Sequence, residues 1–224
     1  ASTKIYLNYT TGNLMITDKI LIEKIFRASR IVSAHAEGEM VKLMIDIAAK
    51  TNKILYLCHI SREKEIEYIR NYRQGKSKRI NVFCEVCPHH LFLTKNDETR
   101  LGNYARMKPA LGTNEDQEAL WRGILDGTVD CIATDHAPHS LEQKKTAYGV
   151  PGLETMLPLM LNAVNKGKIS LKRLVELTSA NPSSIFRIKN KGKISVGYDA
   201  DLVIIDMQME RTVEKLFTKC GWSP

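Results

Sequence analysis

The chain has 224 residues, 43% of them hydrophobic and 26% charged, with 13 Gly and 7 Pro. That balance excludes disordered, collagenous and low-complexity classes and allows one large domain or two small ones. Its 33 Lys and Arg against 25 Asp and Glu leave a net charge of +8, yet the basic residues are dispersed. One cluster is Lys76, Lys78 and Arg79, and another is Lys189, Lys191 and Lys193; neither carries interleaved aromatics. A solvated basic face, or a site for a small anion, therefore fits better than nucleic acid.

Short apolar runs alternate with amphipathic stretches. The runs Thr3–Asn8, Ile31–His35, Ile54–His59, Asn81–Cys87 and Val129–Thr134 read as strands. They are mostly unbroken rather than alternating, as parallel strands covered on both faces are. Between the first and second lies a helical pattern with Ile20, Leu21 and Ile25, and between the second and third one with Met40, Val41, Met44, Ile45 and Ala48. Ser61 is the expected cap of a helix carrying Ile66, Ile69 and Tyr72 and ending at Gly75. Asn114 is the expected cap of another, with Leu120, Trp121 and Ile124, ending at Gly127. Leu171, Leu174, Val175 and Thr178 predict a further helix stopped by Asn181-Pro182. Beyond it, 193–197 and 201–206 read as short antiparallel strands. Asp199, Asp201 and Asp206 lack EF-hand spacing and fit turns instead.

Strand and helix alternating five times predicts a parallel sheet. No Gly-rich phosphate loop follows a strand, which disfavours an open doubly wound sheet. Polar residues gather at the strand ends: Lys4 lies in the first run, and His35, His59, His89-His90 and Asp135 end or follow the others. In a (β/α)8 TIM barrel these ends converge on one mouth, where active sites are built. The expected architecture is therefore an α/β barrel over 1–190 with part of a small outer β-domain over 191–224.

Five cysteines at 58, 84, 87, 131 and 220, an odd number, point to reduced thiols. Cys84-x-x-Cys87 before His89-His90 resembles half of a zinc site, but no second Cys pair exists. Packing as small hydrophobes in apolar runs is the better account. No apolar run approaches the roughly 20 residues of a membrane span, and no basic-then-apolar leader opens the chain. A cytoplasmic protein away from membranes is expected.

His35 in Ser-Ala-His-Ala-Glu, His59 in Leu-Cys-His-Ile-Ser and Asp135 in Asp-His-Ala-Pro-His suggest a site of imidazole and carboxylate ligands, a donor set that suits zinc. Further segments are Lys-Ile-Tyr-Leu-Asn-Tyr-Thr (4–10), Cys-Glu-Val-Cys-Pro-His-His-Leu-Phe-Leu (84–93), Pro-Gly-Leu-Glu-Thr-Met-Leu-Pro-Leu (151–159) and Gly-Tyr-Asp-Ala-Asp-Leu-Val-Ile (197–204). In order and spacing the chain resembles the dihydroorotases of the amidohydrolase superfamily, most closely the domain type found in the animal multifunctional pyrimidine-synthesis protein.

The resemblance implies two zinc ions bridged by a carboxylated Lys4, with His35 and His59 on the second ion and Asp135 on the first. Asp135 would also act as general base and then acid. Two zinc ions activate water near neutral pH, here for interconversion of dihydroorotate and N-carbamoyl-L-aspartate. His139 matches a substrate-carboxylate histidine, Pro151 and Gly152 present backbone to the pyrimidine ring, and Thr10 matches the tip of a mobile loop. Lys108 stands where relatives carry Arg or Asn, keeping a cation but not the planar fork of Arg. Cys58 and Glu85, beside the ligand strands, fit packing and supporting roles better than a further metal.

A hydantoinase or allantoinase is the neighbouring alternative, and a non-catalytic subunit scaffolding a transcarbamoylase the distant one. Partner expectations are a homodimer and an association with aspartate transcarbamoylase. The superfamily's His-x-His and the Arg after it occur nowhere in the 224 residues. The expectation is thus a fragment holding five of eight barrel strands, catalytically silent by itself.

Overall fold

The computed structural model describes residues 2–75, 81–210, 212 and 216–223. The Lys76/Lys78/Arg79 cluster lies outside the described residues. Five strands form: β1 (Thr3–Tyr6), β2 (Ile31–His35), β3 (Ile54–Leu57), β4 (Val82–Val86) and β5 (Cys131–Ile132). All neighbouring pairs are parallel and the order is β1-β2-β3-β4-β5. Sequential parallel strands with helical crossovers make the wall of a (β/α) barrel, and among the described residues the wall does not close.

Helices α1 (Lys19–Ala28), α2 (Glu39–Thr51) and α3 (Glu63–Gln74) follow the first three strands. The short α4 (Pro88–Phe92) and α5 (Glu98–Leu101) and the longer α6 (Asn114–Asp126) lie between β4 and β5. After β5 come α7 (Leu153–Asn165), α8 (Leu171–Val175) and α9 (Asn181–Phe186). The two faces of the sheet differ because side chains alternate along a strand. Ile5, Leu7, Val32, Ala34, Leu55, Leu57, Val82, Cys84, Val86 and Ile132 pack outward with Ile22, Phe26, Val41, Met44, Ile66 and Leu120 of the helices. Burying each such aliphatic or aromatic side chain stabilises by about 1.5–3 kcal/mol. The other face carries Lys4, Tyr6, Ser33, His35, Tyr56, Glu85 and Cys131. The predicted helical patterns thus coincide with α1, α2, α3 and α6.

Several boundaries differ from expectation. The cap of α3 is Arg62, not Ser61, because the Glu65 carboxylate takes the backbone N–H of both Ser61 and Arg62. Thr113 caps α6 in place of Asn114, through a reciprocal pair with Asp116. Helix does not stop at Asn181-Pro182: α8 runs through one π turn, Glu176–Ala180, into α9. Pro182 is the second residue of α9, directly after the π turn. The strands expected at 193–197 and 201–206 do not form. Ile194, Val196 and Ile204 are 89–103% exposed, with no partner strand among the described residues. A lone β-prone segment has no ladder to pair with, whatever its composition.

Candidate metal centre and substrate face

Residues 4, 35, 59 and 135 come together at one end of the sheet. His35 ends β2 and His59 follows β3; both are buried, at 2% and 3% exposure. His35 Nδ1 and His59 Nε2 face each other at 3.0 Å. On its other side His35 Nε2 lies 3.3 Å from Glu37 Oε1. His59 Nδ1 has no hydrogen-bond partner. Two nitrogens on one tetrahedral zinc sit about 3.3 Å apart. The facing pair therefore fits a shared metal with little adjustment, and Glu37 fits the carboxylate that orients a metal-bound imidazole.

Two of these residues occupy strained backbone. His59 and Asp135 have φ of 41° and 44°, a region non-glycine residues adopt only where the surroundings enforce it. Asp135 follows β5 and is exposed on the open side of the sheet. Surrounding protein atoms push its carboxyl upward, while Lys4 and His35 pull it back; access of water moderates both effects. Desolvation opposes charge on Lys4, but Cys58, Tyr6 and Glu85 outweigh it and raise its pKa. Its Nζ stands 5.3 Å from the Tyr6 ring centroid. Burial, then the charge of Lys4, holds His59 well below the ordinary histidine value, so its imidazole is neutral and available as a ligand. Burial pushes the Cys58 thiol up to about 12 and also raises Glu85. Tyr56 donates to Glu85 at 2.6 Å. Lys4, an exposed residue, thus lies within electrostatic reach of Cys58 and Glu85.

The long connection from β5 to α7 supplies the opposite wall. His139 Nε2 donates to the Tyr148 carbonyl at 3.1 Å, and the His139 carbonyl accepts from Trp222 Nε1. Lys108 stands 5.6 Å from the Tyr148 ring and its charge reaches Glu37. Pro151 and Gly152 line a cavity of about 140 Å³ together with His89, Thr134 and Thr155. A Cβ on Gly152 would stand 3.3 Å from the Thr134 carbonyl, so glycine keeps this wall open. A larger cavity, about 350 Å³, lies between the C-terminal ends of α3 and α6, at the far end of the strands. Its arginines, Arg70 and Arg73, are already paired with Asp126 and Asp130.

A family model described as "Amidohydrolase family" matches residues 12–220. The chain belongs to the amidohydrolase family. Among curated relatives, a "Dihydroorotase" of Pyrococcus furiosus is 39% identical over 240 aligned positions, which cover 99% of this chain and 55% of that protein. The "Multifunctional protein CAD" of Squalus acanthias is 37% identical over 234 positions, covering 100% of this chain and 10% of that one. Among solved structures, "L-Hydantoinase (Dihydropyrimidinase) from Arthrobacter aurescens" superposes with a TM-score of 0.80 at 25% identity, over 88% of this chain and 53% of that chain. The chain spans about half the length of the archaeal dihydroorotase it matches.

Placed in an amidohydrolase, His35 and His59 are drawn together directly. Lys4 and Asp135 reach them electrostatically, but no group of three ligand atoms within 4.8 Å forms there among the described residues. Thr10 is half-buried, and it is the neighbouring Thr11 that bonds the Tyr148 backbone across the site. Three supporting residues carried no expectation. Glu37 was legible only as the acid two places after His35. His136 Nδ1 accepts from the backbone N–H of Gly152 and Leu153, tying the Asp135 strand end to the start of α7. Glu65, on α3, binds the loops after β2 and β3 at once; nothing in its local sequence marks that role. Among the described residues no helix is long and apolar enough to cross a membrane.

Proposed function

We propose that this amidohydrolase is a zinc-dependent dihydroorotase, interconverting L-dihydroorotate and N-carbamoyl-L-aspartate in pyrimidine synthesis. The observation that carries the reading is the pair of buried imidazole nitrogens facing each other at 3.0 Å, beside Lys4 and within reach of Asp135. His35, His59, Asp135 and a carboxylated Lys4 would hold two zinc ions, which when bound supply the Lewis acidity that activates water and the ring carbonyl. Asp135 takes the proton of the attacking water at a carboxylate oxygen and returns it to the ring nitrogen as the C–N bond breaks. In the ring-closing direction the same carboxylate accepts the ureido N–H proton. His139 and Lys108 receive the substrate carboxylate, and the backbone at Pro151-Gly152 borders the ring. Arg106, Lys108 and Lys144 add positive charge on this wall, around Tyr148 and Trp222, which suits anionic substrates.

The wider assignments follow the same resemblance: residues 191–224 belong to an outer β-domain, the protein is cytoplasmic, and it associates as a homodimer and with an aspartate transcarbamoylase. A hydantoinase-type enzyme is the second reading, favoured by the likeness to L-hydantoinase. The two differ in whether the ring carries a carboxylate. A dihydroorotase, built to bind that group, should reject hydantoin by roughly 100-fold or more, and His139→Ala should narrow the gap by weakening dihydroorotate alone. Turnover of hydantoin at an equal or greater rate would replace the first reading with the second. Absence of turnover on both rings in the zinc-loaded intact enzyme would favour the scaffold.

A further inference from the structure

The run Cys87-Pro88-His89-His90 crosses from β4 into α4, and it gathers three ligand-type side chains in one place. The ligand atoms of Cys87, His89 and His90 all lie within 4.8 Å of one another, and all three residues are buried, at 0%, 6% and 2% exposure. Pro88 opens the helix, its fixed φ setting the turn that folds the histidines back beside the cysteine.

A second observation is independent of that clustering. His90 Nε2 lies 3.0 Å from the Pro109 carbonyl. A carbonyl only accepts, so the ring proton sits on Nε2 and the lone pair on Nδ1. That Nδ1 is buried without a hydrogen-bond partner. Buried polar atoms are rarely left so, and an imidazole whose far nitrogen is held by a backbone carbonyl is the arrangement found behind metal-bound histidines. Burial first, then the charges of Glu85 and Asp135, holds the Cys87 thiol well above its ordinary value, so binding must displace its proton. Of the three, His89 borders the 140 Å³ cavity, with Thr134 and Gly152.

We propose that Cys87, His89 and His90 bind one divalent ion of the zinc class at an open three-ligand site separate from the His35–His59 pair. This goes beyond the catalytic reading and stands without it, since none of the three residues belongs to the catalytic set. Mixed sulfur and nitrogen donors select a borderline-soft ion, and three protein ligands leave one position open. On binding, the Cys87 S–H proton leaves to solvent as the sulfur–metal bond forms, and the two neutral imidazoles contribute lone pairs. Ligands on tetrahedral zinc stand about 3.3–3.6 Å apart, so the cluster contracts by about an ångström through side-chain rotation.

The test is titration of the metal-free full chain with Co²⁺, read by thiolate-to-cobalt charge-transfer absorption, with circular dichroism to confirm folding of each variant. The expected result is one equivalent of thiolate-bound cobalt in the wild type and in His35→Ala/His59→Ala. The band should disappear in Cys87→Ser, a near-isosteric change, and in His90→Ala, and persist in Cys58→Ser. Absence of the band in the wild type would overturn the proposal. So would a band that survives Cys87→Ser and vanishes in Cys58→Ser, which would place the thiolate beside Lys4.

Discussion

Replacing Glu65 with Gln probes how the two histidine loops are held in register. Glu65 is 1% exposed. One carboxylate oxygen accepts from Gly38 N at 2.7 Å, and the other from Ser61 N and Arg62 N at 3.0 and 3.1 Å. Gly38 follows the His35 strand with φ of 59° and ψ of −124°, a conformation reserved for glycine, and Ser61 lies two residues past His59. A single side chain on α3 thus fastens both loops. A glutamine keeps its oxygen where two donors converge, at Ser61 and Arg62, and turns its NH₂ toward Gly38 N–H. One hydrogen bond is lost and two donors are buried face to face. Hydrogen bonds to a carboxylate and unpaired buried donors set the cost at about 2–4 kcal/mol, a fall in Tm of roughly 5–15 °C for a chain of this size. Glu65→Ala orphans all three N–H groups and leaves a void, for about 4–6 kcal/mol. Urea and thermal melts followed by circular dichroism measure both. Arg70→Ala, which breaks only the partly exposed pair between this helix and Asp126 at the end of α6, should cost under about 1 kcal/mol. Two Glu65 variants within about 1 kcal/mol of wild type would refute the idea that this carboxylate holds the loops.

In the intact enzyme Lys4→Ala should abolish most turnover, with partial recovery on adding a short carboxylic acid as a substitute bridge; full activity in the variant would remove Lys4 from the centre. His90 gives a pH dependence. Burial lowers its pKa to about 4, while in the unfolded chain it titrates near 6.5. Between these values the unfolded state binds a proton that the folded state does not, so stability falls as pH drops from 6.5 toward 4, by at most about 3 kcal/mol. In metal-free protein His90→Gln, which keeps a donor for Pro109, should flatten that part of the acid slope in urea melts; an unchanged slope would mean His90 does not stay neutral when folded.

Strand runs and helical periodicity are local properties, and the chain displays them openly. The five strands, their parallel sense and the helices α1, α2, α3 and α6 follow from apolar spacing and from the need to cover the outer face of the sheet. The placing of His35, His59 and Asp135 at one end of the sheet was equally legible, because residues at strand ends of a barrel must converge. Caps were less so: Glu65 and Thr113 displaced Ser61 and Asn114, since a carboxylate three residues into a helix can bond the backbone before the expected cap does. The β-prone segments after 190 read as strands but need a partner to become them, and composition carries no information about a partner. What only the tertiary structure decided is where lone pairs end up. The facing of His35 and His59, the acid behind His35, the gathering of Cys87, His89 and His90, the idle Nδ1 of His90 and the Glu65 clasp all depend on side-chain directions fixed by several elements at once. No single stretch of sequence encodes those directions.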